Sequence, residues 1–295
     1  MKSKLFQLWC LIATGGLFAT VTFIIGFILY RGVPTFSLNL FFGDTPAHLA
    51  IFGLSPIWEG IWPACVGTLS VVLGALLIAL LPGIATGIWL AINKRSPFHT
   101  LLSLSIDILA GIPSVLMGLF GFTLILLLRQ TLFPSANNSL LLSALCLAML
   151  IIPYLAAATR SALQALPSSL TICALALGMS QWQTLWHVLL PQAGRGIKAG
   201  VMLATGRAAE DTAVIMLTGA VASVGLPGGI FERYEALPFT IFYYSAQYQS
   251  NSELQMAFGA ALTLLCITAT LFAMVDKVQR SRLKNSSNTH IKSPL

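Results

Sequence analysis

Among the uncharged stretches of twenty residues or more in this chain are five strongly apolar ones: Leu5–Tyr30, Gly60–Ile92, Ile108–Leu128, Ser139–Thr159 and Leu254–Val275. About 20 apolar residues in a helix cross the hydrocarbon core of a bilayer. Inside that core every backbone polar group must be satisfied within the segment, so such runs are read as transmembrane helices. A sixth run, Ala199–Gly225, is equally apolar apart from Arg207, Glu210 and Asp211. Composition excludes the soluble alternative. Only 8% of the residues are charged and 57% are hydrophobic, whereas a soluble domain carries roughly 25% charged residues. The expectation is an all-α polytopic membrane protein: one domain, residues 1–295, with spans at about 5–30, 60–92, 108–128, 139–159, 199–225 and 254–275. Leu5–Tyr30 is too long for the apolar part of a signal peptide and lacks an A-x-A site, so it is read as an anchor.

The net charge of +7 then reads as orientation in the bilayer rather than as affinity for nucleic acid. With the N-terminus in the cytoplasm, 12 of the 16 basic residues fall on the cytoplasmic side. Arg31, Arg129 and Arg233 fall outside, and Arg207 lies within the membrane. That asymmetry follows the positive-inside rule and places both termini in the cytoplasm. The outer connections Arg31–Glu59 and Leu226–Glu253 carry Pro, Gly and aromatics and are expected to form short interfacial helices. Residues 276–295 form a polar tail, expected to be disordered over Lys284–Lys292.

The cytoplasmic segment 160–198 has a pattern of its own. A short helix is expected over Ser168–Leu177, closed by Gly178. Ser180-Gln181-Trp182-Gln183 then reads as a capping box. Trp182, Leu185, Trp186 and Leu189 follow at i, i+3, i+4 and i+7, one apolar face of a second short helix, which Pro191 and Gly194 are expected to end. Such a hairpin either lies on lipid headgroups or docks onto a cytoplasmic partner.

Here the chain resembles a known family. Ala174-x3-Gly178, nine residues, then Val188-Leu189-Leu190-Pro191 is similar to the EAA loop of ABC-importer permeases, although Ile172-Cys173 stand in place of its Glu-Ala. Gly111-Ile112-Pro113-Ser114-Val115 with Gly118-Leu119-Phe120-Gly121, Ile152-Pro153-Tyr154, and Gly206-Arg207-Ala208-Ala209-Glu210-Asp211-Thr212-Ala213 resemble segments of the phosphate-importer permeases of the PstA family. Within the last segment, Glu210, Asp211 and Val214 stand where that family has Gly, Glu and Pro. The resemblance implies a type I ABC-importer permease fold with six spans in the bacterial inner membrane. It implies a coupling loop built on Ala174, Gly178, Ser180, Trp182, Leu185, Trp186, Leu189 and Pro191. It also implies partners: a second homologous permease (PstC-like), two copies of a cytoplasmic ATPase (PstB-like) and an extracytoplasmic solute-binding protein (PstS-like). The implied cargo is inorganic phosphate, or else another oxyanion such as sulfate, molybdate or tungstate.

An ionisable residue at the middle of a membrane helix costs roughly 2.5–3.5 kcal/mol, so Arg207, Glu210 and Asp211 need partners or water. Both acids lie within reach of Arg207, at i+3 and i+4. The cluster, with Thr212, either lines a translocation path or is a structural pairing. Two acids facing an anion would repel it, which makes Arg207 the candidate attractor. Asp107 is expected to cap the third span. The cysteines show no C-x-x-C spacing, the four histidines are isolated, and no metal site or cofactor is indicated. The chain lacks a Gly-x4-Gly-Lys-Ser/Thr loop, so it is not expected to bind or hydrolyse ATP itself. A secondary transporter would not require the docking hairpin. A membrane enzyme would need a nucleophile, base or metal set that does not accompany the acids.

Overall fold

The computed structural model describes residues 2–51, 60–131 and 133–290. Its elements are helices in the order α1 (Lys2–Gly32), α2 (Leu38–Phe42), α3 (Ala47–Ile51), α4 (Trp62–Ile92), α5 (Pro97–Gly111), α6 (Ser114–Thr131), α7 (Leu140–Gln164), α8 (Ser168–Ala176), α9 (Gln181–Thr184), α10 (Leu190–Glu210), α11 (Thr212–Thr218), α12 (Leu237–Gln247) and α13 (Asn251–His290). Five described helical stretches are long and apolar enough to cross a membrane: Phe6–Thr35, Trp62–Ile92, Ser114–Thr131, Leu140–Gln164 and Asn251–Lys277.

The centre of the bundle is α4 against α7, with α10 laid across both. Val72, Ala75, Ala79, Leu147, Ile151 and Ala156 are inaccessible at these contacts. The many alanines matter because helices in lipid gain little from burying apolar surface and associate through close backbone approach instead. Helix α13 packs on α10 and α12 and carries α1. The α1 contact includes an edge-on pairing of Phe27 with Phe258. Most of α1 is otherwise open, with Phe6, Trp9, Phe18 and Phe23 each more than 70% exposed, as suits a lipid-facing anchor.

Several boundaries differ from the sequence reading, each for a local reason. The third run is two helices, because Pro113 pushes its predecessor Ile112 into an extended conformation and breaks α5 from α6. Asp107 therefore lies inside α5 rather than at a cap. The fifth run, 199–225, is no single helix. It breaks at Asp211 between α10 and α11, and from Gly219 the chain turns into an irregular segment. That segment folds back on the bundle, where Leu140 and Leu141 N–H donate to Glu232 and Ile230 carbonyls at 2.9 and 2.8 Å. Helix α13 continues to His290, where a disordered tail was expected, while residues 291–292 of that tail lie outside the described residues. The outer connections do contain short helices, α2, α3 and α12, and residues 52–59 lie outside the described set.

Candidate functional site

The hairpin is narrower than 160–198, because α7 runs on to Gln164 and α10 begins at Leu190. Helix α8 ends in a Schellman arrangement. Gly178 N–H donates to the Leu175 carbonyl at 3.0 Å and Met179 N–H to the Ala174 carbonyl at 3.1 Å. Gly178 takes φ +80°, a region that L side chains resist. The Ala174-x3-Gly178 spacing is thus the spacing of a helix stop: a buried residue whose carbonyl closes the turn, then a glycine that reverses the chain.

Ser180 opens α9 with the full capping box. Gln183 N–H donates to Ser180 Oγ at 3.2 Å, and Ser180 N–H donates to Gln183 Oε1 at 2.8 Å. The apolar face expected of Trp182, Leu185, Trp186 and Leu189 is split. Leu185 is 2% exposed, while Trp182 and Trp186 are 67% and 51% exposed and meet edge to face with centroids 5.6 Å apart. Leu189 is half-buried. The cause is a π-helical turn over Leu185–Leu189, in which Leu190 N–H donates to the Leu185 carbonyl. Pro191 and Gly194 do not end the helix either. Proline lacks an N–H and clashes with the carbonyl four residues before it; the wide turn ahead of Pro191 accommodates it, and α10 runs unbroken to Glu210. The second arm of the hairpin, from Gln181, and α10 are therefore one continuous rod.

At the far end of that rod lies the charged cluster. From Leu190 to Arg207 is about 26 Å at 1.5 Å per residue. The two acids have different roles. Asp211, 5% exposed, is extended at φ −76°, ψ 104° and caps α11, accepting from Val214 N–H at 2.9 Å. Its other oxygen sits 3.8 Å from Arg207 Nη2. Glu210 is open, with its side chain 66% exposed, and meets Arg207 Nη1 at 3.1 Å. The Arg207 side chain is one-third exposed, and its Nε has no hydrogen-bond partner among the described residues. Thr212 opens α11. The cluster therefore presents one partly exposed guanidinium bound to one exposed carboxylate, while the second acid is committed to holding the helix break.

The glycine-rich element meets this break from the side. A Cβ at Gly118 would come 2.8 Å from Leu217 Cδ1 and 3.0 Å from the Ala213 carbonyl, so α6 lies directly on α11. Gly111 ends α5, Pro113 sits between the helices and Ser114 opens α6. The element seats the segment that follows Asp211, while Arg207 donates to Glu210 and lies 3.8 Å from Asp211.

Glu235 and the irregular segment around it have no counterpart in the sequence reading. The Glu235 Oε1 accepts from Val224 and Gly225 N–H at 2.8 and 2.7 Å. Burial pushes its pKa above the ordinary glutamate value, opposed by those two bonds. Tyr234 beside it is inaccessible. No periodicity marks 219–236, because this stretch buries backbone and isolated side chains rather than a helical face. Among the described residues no group of His, Cys, Asp and Glu is assembled that could hold a metal ion.

The family described as binding-protein-dependent transport system inner membrane component matches residues 83–284, from the last third of α4 into α13. The chain belongs to that family. Its curated relatives include the phosphate transport system permease protein PstA of Haemophilus influenzae, 30% identical and covering 83% of both chains. The protein of the same name from Xylella fastidiosa is 29% identical, over 83% of this chain and 82% of its own length. Among solved structures, an inward-facing form of the MetNI methionine ABC transporter superposes with a TM-score of 0.54 at 17% identity, covering 75% of this chain and 96% of that one. That likeness shows the fold, that of an ABC-importer permease. As an inner membrane component of a binding-protein-dependent system, the chain is a multi-pass membrane protein, and its resemblance to PstA permeases, first seen in the Gly111–Gly121 and Gly206–Ala213 segments, extends over most of its length.

Proposed function

We propose that this family member is a phosphate-translocating permease subunit. It forms half of a translocation path with a second, homologous permease, receives solute from an extracytoplasmic binding protein, and is driven by two copies of a separate ATPase. The observation that carries the reading is the continuous rod from the hairpin to Arg207. A displacement of Trp182 and Trp186 by a docked ATPase is delivered along α10, with no flexible joint, to the polar break at Asp211. The relatives named as phosphate permeases supply the substrate class.

In this reading the chain crosses six times, with both termini cytoplasmic and α10–α11 as the broken crossing. Arg207 attracts the anion, Glu210 swings to release or cover it, and Asp211 with Thr212 holds the break. Broken helices lining a polar path are tolerated in a bilayer where continuous lipid contact would forbid them. One observation favours a second cargo, another tetrahedral oxyanion: Glu210 adds an exposed acid beside Arg207 where the resemblance has glycine, which alters the charge an anion meets.

The test is reconstitution of the complete complex in proteoliposomes, with labelled phosphate, sulfate and molybdate offered separately. ATP-dependent uptake of phosphate alone is the expected outcome. Uptake of sulfate or molybdate in preference to phosphate overturns the substrate assignment while keeping the permease reading. Labelling of cysteines introduced at Gln181 from outside intact cells overturns the coupling hairpin.

A further inference from the structure

Asp107 is a charge that the cluster at Arg207 does not absorb. It lies about 15 Å along α5 from the start of that helix at Pro97, roughly half the hydrocarbon thickness of a bilayer. It is exposed and has no hydrogen-bond or ion-pair partner among the described residues. Contacts on α7 fix its depth. Ser103 Oγ accepts from Arg160 Nη1 at 2.9 Å, and Ile106 packs with Ala156 and Ile152. On α10, a Cβ at Gly196 would come 2.5 Å from Ala162 Cβ, and one at Gly200 2.3 Å from Ala158 Cβ. Counted along α7 from these contacts, Asp107 and Arg207 lie within about one helical turn of the same depth.

The two residues also border one cleft. Helix α5 takes the side of α7 that carries Ile152, Ala156 and Arg160, and α10 the nearly opposite side, at Ala158 and Ala162. Between them runs one strip of α7. Its outer part, Cys146, Leu150 and Pro153, is buried, with Gly121 of α6 seated on Cys146. Its inner part, Ala157, Ser161 and Gln164, is exposed. The strip is thus roofed by α6 and open at the cytoplasmic end. Ala199, Leu203 and Glu210 of α10 are exposed on this side, since α4 and α13 cover the others. On α5, Thr100, Ser103 and Asp107 share one stripe, and the bond from Arg160 to Ser103 turns that stripe toward the strip. Phe98, Leu101 and Ile108 are the exposed apolar side chains of the helix's other open side.

We infer that Asp107 is a further residue of the translocation path, on the wall across the cleft from Arg207; the inference rests on the permease reading above. An unpaired carboxylate at this depth is costly against lipid and is kept where water reaches it, and the cleft is the open space on its side of α5. A fixed negative charge there repels a passing anion, so Asp107 shortens the anion's stay at Arg207. Conduction needs a site favourable enough to enter and weak enough to leave.

Water access is measured first, without transport. In the complete complex the exposed cysteines Cys10, Cys173 and Cys266 are replaced by alanine, and Asp107→Cys or Ile108→Cys is added. Each complex, nucleotide-free in nanodiscs with both faces open, is treated with a charged, membrane-impermeant methanethiosulfonate, and modification of this subunit is followed by mass spectrometry. Modification at position 107 at least tenfold faster than at 108 is expected. Equal rates, or no modification at 107, overturn the inference; the second result places the acid against the partner permease instead. Gly111→Cys, one turn on in the same stripe with open space around it, gives the same reading should Asp107→Cys fail to assemble. Uptake is measured second, in proteoliposomes. At saturating phosphate, Asp107→Asn is expected to slow uptake severalfold with subunit co-purification unchanged, and Asp107→Glu to retain most of it. Wild-type uptake by Asp107→Asn overturns the role given to the charge. Should the wild-type complex move sulfate or molybdate instead of phosphate, the same comparison is made with that anion, so the cargo assignment fails separately from the path residue.

Discussion

Removing Arg207 distinguishes a path residue from a strut, and the geometry says how much each variant should lose. In Arg207→Ala the Asp211 carboxylate stays where it is, 5% exposed, because its Oδ1 remains bonded to Val214 N–H. It then has no cation. Breaking one partner of a buried pair typically costs about 3–5 kcal/mol. With Arg207 one-third exposed and the approach to Asp211 as long as 3.8 Å, the lower end of that range is expected. Glu210 adds little, since an exposed pair is worth about 0–1 kcal/mol. The compensating change is Asp211→Asn. Its side-chain carbonyl still accepts from Val214 N–H, which preserves a cap worth about 1 kcal/mol, while the unpaired charge is gone. Thermal unfolding in nanodiscs should therefore show a clear loss for Arg207→Ala and recovery of most of it in Arg207→Ala/Asp211→Asn and in the triple variant that adds Glu210→Ala. Uptake by proteoliposomes of the complete complex should fail in all three. Near wild-type uptake by the restabilised double or triple variant refutes the path assignment and leaves the cluster a structural pair. An unchanged melting temperature in Arg207→Ala refutes the buried-pair reasoning itself.

Four further outcomes follow from single sites. A Cβ at Gly178 meets no neighbour within 4 Å, so the main cost of Gly178→Val is the left-handed φ, about 1–2 kcal/mol; the hairpin should splay and ATP-driven uptake fall while the subunit still inserts. Trp182→Ala and Trp186→Ala should each weaken co-purification with the ATPase by more than about 1 kcal/mol, as truncated aromatics at an interface centre do, and unchanged co-purification in both favours a hairpin lying on headgroups. Gly118→Val should cost about 1–3 kcal/mol by overpacking α6 against Leu217 and Ala213, read as a lower melting temperature. Because burial raises the pKa of Glu235 in the folded chain, its contribution to stability is fully present below the ordinary glutamate value and is lost as pH rises through the folded-state value. Glu235→Gln keeps an oxygen for Val224 and Gly225 N–H and should flatten that pH profile; a profile that persists in the variant would assign it to another group.

The contrast between what the residues alone dictate and what the packed chain decides runs along the rod that joins the two candidate sites. Spans of apolar residues are legible because lipid imposes one local solution on them, whatever their neighbours. The hairpin is equally legible, since a capping box and a helix-stopping glycine act over three to five residues: Ser180 with Gln183, and Ala174 with Gly178. Pro191 reads as a terminator in sequence and is none in the fold, because its effect depends on the turn before it, and the π turn there accommodates the ring. The break at Asp211 is hidden for the same kind of reason. An aspartate at i+4 from an arginine satisfies a continuous helix and a broken one equally well in sequence, and only the seat that α6 provides for α11, through Gly118, makes the broken form the better packed. The role of Glu235 has no local signature, because the Val224 and Gly225 N–H groups it binds are brought to it across an irregular segment ten to eleven residues long. Local chemistry determined the elements and their order in the membrane; the close fit of small side chains between α4, α7, α10 and α6 decided where those elements end and which charges meet.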